Sequence, residues 1–276
     1  MTRKEAVSLM NPTPTHSQVI DLPPGRRLMA NANRMYWQKH FMYGLLEVDV
    51  TLIRQFIEAH RAQTGEQLSF TGYLTFCLAR AVDENKVVQA YFKGRKQLFV
   101  PDDVDVGLMI EQKVGDKHAL MGYTVRGANH KTYLEIHREI RAVQASPLPP
   151  TRGMPGWLQK AFLLPPPLAG WFGALLEWAM RRDPTIFTSM AGTVGITAVG
   201  MFGKGQGGWG VAPLTHGLNL IVGGISWKPA VIDGRIEPRE ILDLTVTYDH
   251  DVIDGAPAAR FTQRLVELIE GGVGLE

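Results

Sequence analysis

Residues 242–272 constrain the fold more than any other stretch, because they read as a strand, a tight turn and a helix with no linker between them. Leu242, Leu244, Val246 and Tyr248 alternate with Asp243, Thr245, Thr247 and Asp249, the period of a half-buried strand. After Gly255, the residues Ala258, Phe261, Leu265, Leu268 and Ile269 recur at helical spacing until Gly271-Gly272 stops the helix. His250 and Asp254 lie in the turn. A strand end is a rigid mount from which a side chain can be aimed into a cleft, so His250 is the first candidate for chemistry.

The rest of the chain alternates strand and helix patterns without internal repeats. Arg26 to Lys39 reads as helix and Leu45 to Val50 as a short strand; Leu52, Phe56 and Ile57 with His60 mark the apolar side of the next helix. Ser69 is a suitable N-cap for a helix through Val82, and residues 87–100 read as a connection plus a strand. Val104 to Ile110 and Ala119 to Val125 read as strands, and Thr132 opens a helix that reaches Val143. This mixture fits an α/β sandwich over a mostly antiparallel or mixed sheet.

Residues 146–184 differ in character. Pro147-Leu148-Pro149-Pro150 leads into an apolar run, residues 157–180, that holds Trp157, Trp171 and Trp178 and is interrupted by Pro165-Pro166-Pro167. A membrane-crossing helix needs about 20 apolar residues, and a triple proline in mid-run breaks one. Two short apolar helices are expected instead. Four uses suit them: packing on their own subunit, covering an active-site entrance, burying a partner contact, or lying on a membrane surface. Packing on the chain's own subunit or within an oligomer is the favoured use, since three tryptophans make a patch a liability unless something covers it.

At 276 residues with 45% apolar and 20% charged side chains, the chain can bury one large core. A net charge of +2, with no dense Lys/Arg stripe, argues against nucleic acid as a partner. The single cysteine, Cys77, sits in an apolar helical segment and reads as a small buried side chain. One cysteine builds neither a disulfide framework nor a thiolate cluster, and residues 1–24 contain no apolar secretory core, so a reducing, cytoplasmic setting is expected. No His/Cys/carboxylate spacing calls for a metal. Gly203-Lys204-Gly205-Gln206-Gly207-Gly208 lacks the order of a phosphate-binding loop and is read as a flexible hairpin connection.

His250-x-x-x-Asp254-Gly255 resembles the signature of the coenzyme A-dependent acyltransferases, the superfamily of chloramphenicol acetyltransferase and of the catalytic domains of dihydrolipoyl acyltransferases from 2-oxo acid dehydrogenase complexes. Gly192-Thr193-Val194-Gly195-Ile196-Thr197-Ala198-Val199-Gly200 is similar to the Gly-Thr-x-x-Ile-Ser/Thr-x-x-Gly segment of the dihydrolipoyl acyltransferase core. Leu220 to Ile225, Val104 to Leu108 and Leu134 to Ile140 resemble a buried strand, a middle strand and a helix of that core, in order, so that the similarity runs from about Asp21 to Glu270.

The resemblance implies a chloramphenicol acetyltransferase-like two-layer sandwich, with residues 1–24 as an extension and 25–276 as one catalytic domain carrying an insertion at about 146–184. It implies a homotrimer, with larger cages possible, in which His250 of one subunit meets Thr197 of another. His250 is then the base that takes the proton of an attacking thiol, Thr197 supplies a hydroxyl to the oxyanion, and Asp254 holds the site through Arg26 or Arg27. Gly255 is expected to permit a tight passage into the helix. Acyl-coenzyme A is the cosubstrate, a dihydrolipoyl-like or other small thiol the acceptor, and transfer is direct in a ternary complex.

Two departures bear on the acceptor. Asp251 stands where the dihydrolipoyl acyltransferases carry Arg, and no lipoyl-lysine turn is present; Asp116-Lys117-His118 is the nearest imitation and lies within the catalytic resemblance. The expectation is therefore a free-standing catalytic core. The alternative is a catalytically weak, core-like protein that scaffolds a 2-oxo acid dehydrogenase complex.

Overall fold

The computed structural model describes residues 21, 30, 39–114, 117–146, 156–162, 164, 166–198, 206–212 and 214–275. The strands are β1 (Phe41–Asp49), β2 (Tyr91–Lys93), β3 (Gln97–Phe99), β4 (Val106–Val114), β5 (Lys117–Val125), β6 (Val194–Ala198), β7 (Leu218–Ile232) and β8 (Arg235–Asp249). The α-helices are α1 (Thr51–Thr64), α2 (Phe70–Glu84), α3 (Tyr133–Ala145), α4 (Gly156–Phe162), α5 (Pro166–Arg182), α6 (Thr185–Ala191) and α7 (Gly255–Glu270).

Six strands form one sheet in the order β1-β8-β7-β6-β4-β5, and β2 and β3 form a separate hairpin. β7 is antiparallel to β8 and parallel to β6; β4 is parallel to β6 and antiparallel to β5. The result is a mixed, mostly antiparallel sheet with helices on one face, a two-layer α/β sandwich. Leu242, Leu244 and Val246 of β8 share the core with Tyr73, Leu74 and Leu78 of α2, Ile136 of α3, and Phe261 and Leu265 of α7.

Local signals set the helix starts. Ser69 Oγ accepts a hydrogen bond from the Gly72 backbone N–H at 3.1 Å, and Thr132 with Glu135 forms a complete capping box on α3. The β7–β8 turn is Asp233-Gly234, with φ of 49° and 78°, the left-handed pair that matches the twist of a two-residue hairpin.

Several expectations need correction. β8 is not half-buried: Asp243, Thr245, Thr247 and Asp249 are as inaccessible as the apolar residues between them. The second face of the sheet is covered here, because Asp243 binds Lys228 at 2.8 Å and accepts from the Gly208 N–H, Thr247 accepts from Asn219 at 3.0 Å, and Asp249 binds Lys39 at 2.9 Å. Of Asp243, Thr245, Thr247 and Asp249, only Thr245 lacks a hydrogen-bond partner. The connection from β6 to β7 is not a hairpin, since these strands run parallel. Of the glycine-rich segment, Gly207 packs against Asp243 and Ser226.

Residues 87–100 fold as a 3-10 turn, Lys86–Gln89, followed by the β2–β3 hairpin, in place of one strand. On α1 the buried residues are Thr51, Ile53 and Ile57, whereas Leu52 is half-exposed. Of the helix read over 26–39, all but residues 30 and 39 lie outside the described residues, and Lys39 is in a bend. Residues 157–180 do form two helices, α4 and α5, and α5 begins at the second of the three prolines, where a missing N–H costs no helical bond. Among the described residues no helix is long and apolar enough to cross a membrane.

Candidate active site at the end of β8

β8 ends at Asp249, and α7 begins at Gly255 with Asp254 as its N-cap residue. His250 opens the intervening turn with its side chain exposed, and its backbone N–H donates to the His40 carbonyl at 2.8 Å. The carboxylates on either side of it are both held by the segment that enters β1. Lys39 binds Asp249 at 2.9 Å, and the His40 ring meets Asp251 at 3.0 Å. The hydrogen bond to Asp251 raises the His40 pKa above its ordinary value. The Asp251 that departs from the family's Arg therefore brings a second imidazole to the turn.

A cavity of about 180 Å³ opens beside this turn, lined by Lys39, Tyr91, Phe187, Met180, Asp249 and Asp251 among others. α5 forms part of its wall through Glu177, Met180 and Arg181. Tyr91 donates to the Thr193 carbonyl at 2.7 Å, and its burial raises its pKa. Lys39 lies 5.6 Å from the centre of the Tyr91 ring, which ties the β1 entrance to the strand carrying Thr197.

Thr197 is half-buried on β6. It stands beside Ile221 of β7, which stands beside Thr245 of β8. His250 is therefore two strands across and five residues along from Thr197, about 19 Å between Cα positions at about 4.8 Å per strand and about 3.3 Å per residue. Side chains cannot close that gap within one subunit.

Asp254 is exposed, and its side chain makes no capping hydrogen bond to α7. The partners expected for it, Arg26 and Arg27, lie outside the described residues. The steric reason given for Gly255 does not hold within this chain: a Cβ there meets nothing within 4 Å. Cys77 is fully buried in α2, and burial pushes its thiol up to about 12, so it stays protonated and unreactive at neutral pH. Among the described residues no three His, Cys, Asp or Glu side chains cluster as a metal site.

His216 is buried and stacks edge-on to Phe187 with ring centroids 5.2 Å apart. Its Nε2–H donates to the Ala191 carbonyl at 3.1 Å, and Nδ1 accepts from the Thr215 hydroxyl at 2.9 Å. Thr215, not His216, lines the cavity. Loss of water on burial lowers the His216 pKa from 6.5 to about 4. The unfolded chain therefore binds a proton between these values that the folded chain refuses, so stability falls as pH drops from 6.5 to 4 and this group contributes no further loss below that. The total is on the order of 3 kcal/mol. Urea midpoints measured from pH 7 to pH 4 should fall more steeply for the wild type than for His216→Gln; equal slopes would contradict this.

Lys39, His40 and Tyr91 escaped the sequence reading. A Lys-His pair directly before a strand was the available signal, but its partners are 210 and 211 residues away.

The model of the 2-oxoacid dehydrogenases acyltransferase catalytic domain matches residues 14–146 and 183–274, and the chain belongs to this family. It is 25% identical over 226 residues to the dihydrolipoyllysine-residue acetyltransferase component of the pyruvate dehydrogenase complex from Mycoplasma capricolum, covering 79% of this chain and 42% of that protein. The chain thus spans less than half the length of such curated relatives. Among solved structures it is similar to a probable dihydrolipoamide acetyltransferase from Listeria monocytogenes, with a TM-score of 0.66 and 18% identity over 94% of this chain and 96% of that one. It is similar also to the cubic core of the pyruvate dehydrogenase multienzyme complex, with a TM-score of 0.65 and 20% identity over 94% and 95% of the two chains.

Proposed function

We propose that this chain transfers an acyl group between coenzyme A and a small thiol of dihydrolipoyl type, in a site assembled between subunits of a homotrimer. His250 takes the thiol proton as the sulfur attacks the thioester carbonyl. The carbonyl oxygen becomes an oxyanion that accepts a hydrogen bond from Thr197. Collapse of the tetrahedral intermediate expels the other sulfur, which recovers the proton from the His250 imidazolium, so the enzyme ends unchanged and no acyl-enzyme forms.

The observation that carries this reading is the exposed His250 at the strand-to-helix turn of a chain in this family. The separation of about 19 Å from Thr197, set by the strand spacings, supports a shared site, since base and oxyanion donor must act on one carbonyl. Two acidic neighbours, Asp249 and Asp251, are each paired with a basic group from the segment entering β1, which fixes the turn that carries His250. In this reading residues 25–276 form one catalytic domain, with an insertion at about 146–184 whose α5 helix narrows the cavity beside the turn. The likeness to a cubic core supports assembly of trimers into a cage.

Thiol release from acetyl-coenzyme A with dihydrolipoamide as acceptor tests the proposal. Intersecting double-reciprocal plots are expected, as for a ternary complex; parallel plots would exclude direct transfer. Thr197→Val should lower turnover about 10²- to 10³-fold with little change in KM, the usual cost of one oxyanion donor. Coenzyme A binding by calorimetry without thiol release would mean that a different acceptor is used, and absence of binding would favour the scaffold alternative.

A further inference from the structure

We propose that α4, α5 and the β2–β3 hairpin form a docking surface for an anionic lipid membrane, and of these elements α5 and the hairpin also wall the cavity beside the His250 turn. Leu168, Trp171, Leu175 and Trp178 follow one another along α5 at intervals of three, four and three residues. At about 100° per residue they fall within an arc of about 80°. All four are exposed: Trp171 is 68% accessible and Trp178 57%. Trp157 of α4, 64% accessible, packs edge-on to Phe172 and extends the same apolar surface. An exposed patch of this size on a soluble chain needs a partner.

The charges around the patch say which partner. The exposed charged residues of 156–182 are Lys160, Arg181 and Arg182, all cations. Arg182 continues the stripe, with its guanidinium 5.3 Å from the Trp178 ring. Glu177, the carboxylate of this segment, faces the cavity and pairs with Arg181 at 3.0 Å. The Arg181 carbonyl accepts from the Gly94 N–H at 2.7 Å, which fixes the β2–β3 turn against the end of α5 and adds exposed Lys93, Arg95 and Lys96. Exposed Phe92 and Leu98 flank that turn. Asp183, the nearby acid, is held by Thr185.

Tryptophan and leucine on one face, with cations at the edge, is the pattern of a helix lying in the membrane interface, where indoles sit at headgroup depth and Lys/Arg meet lipid phosphates. A second copy of the chain would bring a further excess of cations, Lys93, Arg95, Lys96, Lys160 and Arg182, to the same place. Lipid of net negative charge supplies both the apolar layer and the counter-charge.

Flotation of the full chain with phosphatidylcholine vesicles containing 30% phosphatidylserine, against vesicles of phosphatidylcholine alone, tests this. The wild type should float with the anionic vesicles and remain in the soluble fraction with the neutral ones. Trp171→Glu with Trp178→Glu should lower partitioning at least about 30-fold while the melting temperature, measured by circular dichroism, stays unchanged. Lys93→Gln, Arg95→Gln and Lys96→Gln together should lower it about a hundredfold. Wild-type protein that stays soluble with both vesicles overturns the proposal, as does a double tryptophan variant that floats equally well. A wild type that fails to float and whose oligomer falls apart in the double variant also overturns it, and assigns the face to a second copy.

Discussion

His250→Ala is expected to lower acyl transfer by about 10²- to 10⁴-fold, the range a positioned general base supplies, while the melting temperature moves by no more than about 2 °C. The two halves of this result have separate causes. The rate falls because an unassisted thiol, with a pKa near 8.5, is mostly protonated at neutral pH and attacks slowly. The fold holds because the His250 side chain is exposed and the turn is fixed by its backbone, through the N–H to His40 and the Val252 and Ile253 N–H groups to the Asp249 carbonyl. The loss should shrink as pH rises toward the thiol pKa, since solvent then removes the proton. Steady-state rates and thermal melts on one preparation check both halves; an unchanged rate, or a collapsed melt, contradicts the assignment.

Gly223→Ala is expected to destabilise the sheet strongly for a change of a single methyl group. A Cβ at this position would overlap the backbone carbonyl oxygens of Gly208 and Asp243, and neither belongs to a side chain that can swing away. The site is the irregularity in β7 between Val222 and Ile225, where the backbone of 207–208 passes directly over the strand. Overpacking of this kind costs about 3 kcal/mol, roughly 5 °C in Tm for a chain of this size. Because the displaced segment follows the Thr197 strand in sequence, activity should fall with stability. A Tm within 2 °C of the wild type would show that the segment is not seated there.

What was legible in the sequence was what short-range chemistry decides. Ser69 and Thr132 cap helices whose ends were read to within two residues, because a cap and its N–H lie three positions apart. The strand-turn-helix around His250 was legible for the same reason: its period changes from two to 3.6 residues within one turn. Features set by distant partners were not. The polar side of β8 looked solvated because the groups that cover it, Lys39, Gly208 and Lys228, are far away in sequence. Leu52 and Ile53 fit the apolar phase of α1 equally well, and only the seating of the helix on the sheet chose Ile53. The parallel run of β6 and β7 reflects topology, on which a glycine-rich connection carries no information. At the site, His250 and Asp254 were visible as neighbours, whereas the pairing of Lys39 with Asp249 and His40 with Asp251 had to await the β1–β8 register, in which Phe41 stands opposite Asp249.

The measurement that tests the account most directly uses two inactive subunits together. Under the proposed mechanism His250→Ala lacks the base and Thr197→Val the oxyanion donor, so each homotrimer alone should be nearly silent. Refolded or co-expressed in equal amounts, they form mixed trimers in which a site shared between neighbours receives an intact His250 and an intact Thr197 about one time in four. Recovery of about a quarter of wild-type turnover is the predicted result. Activity no greater than the sum of the separate variants, in trimers shown to be mixed, would contradict a site built from these two residues across the interface.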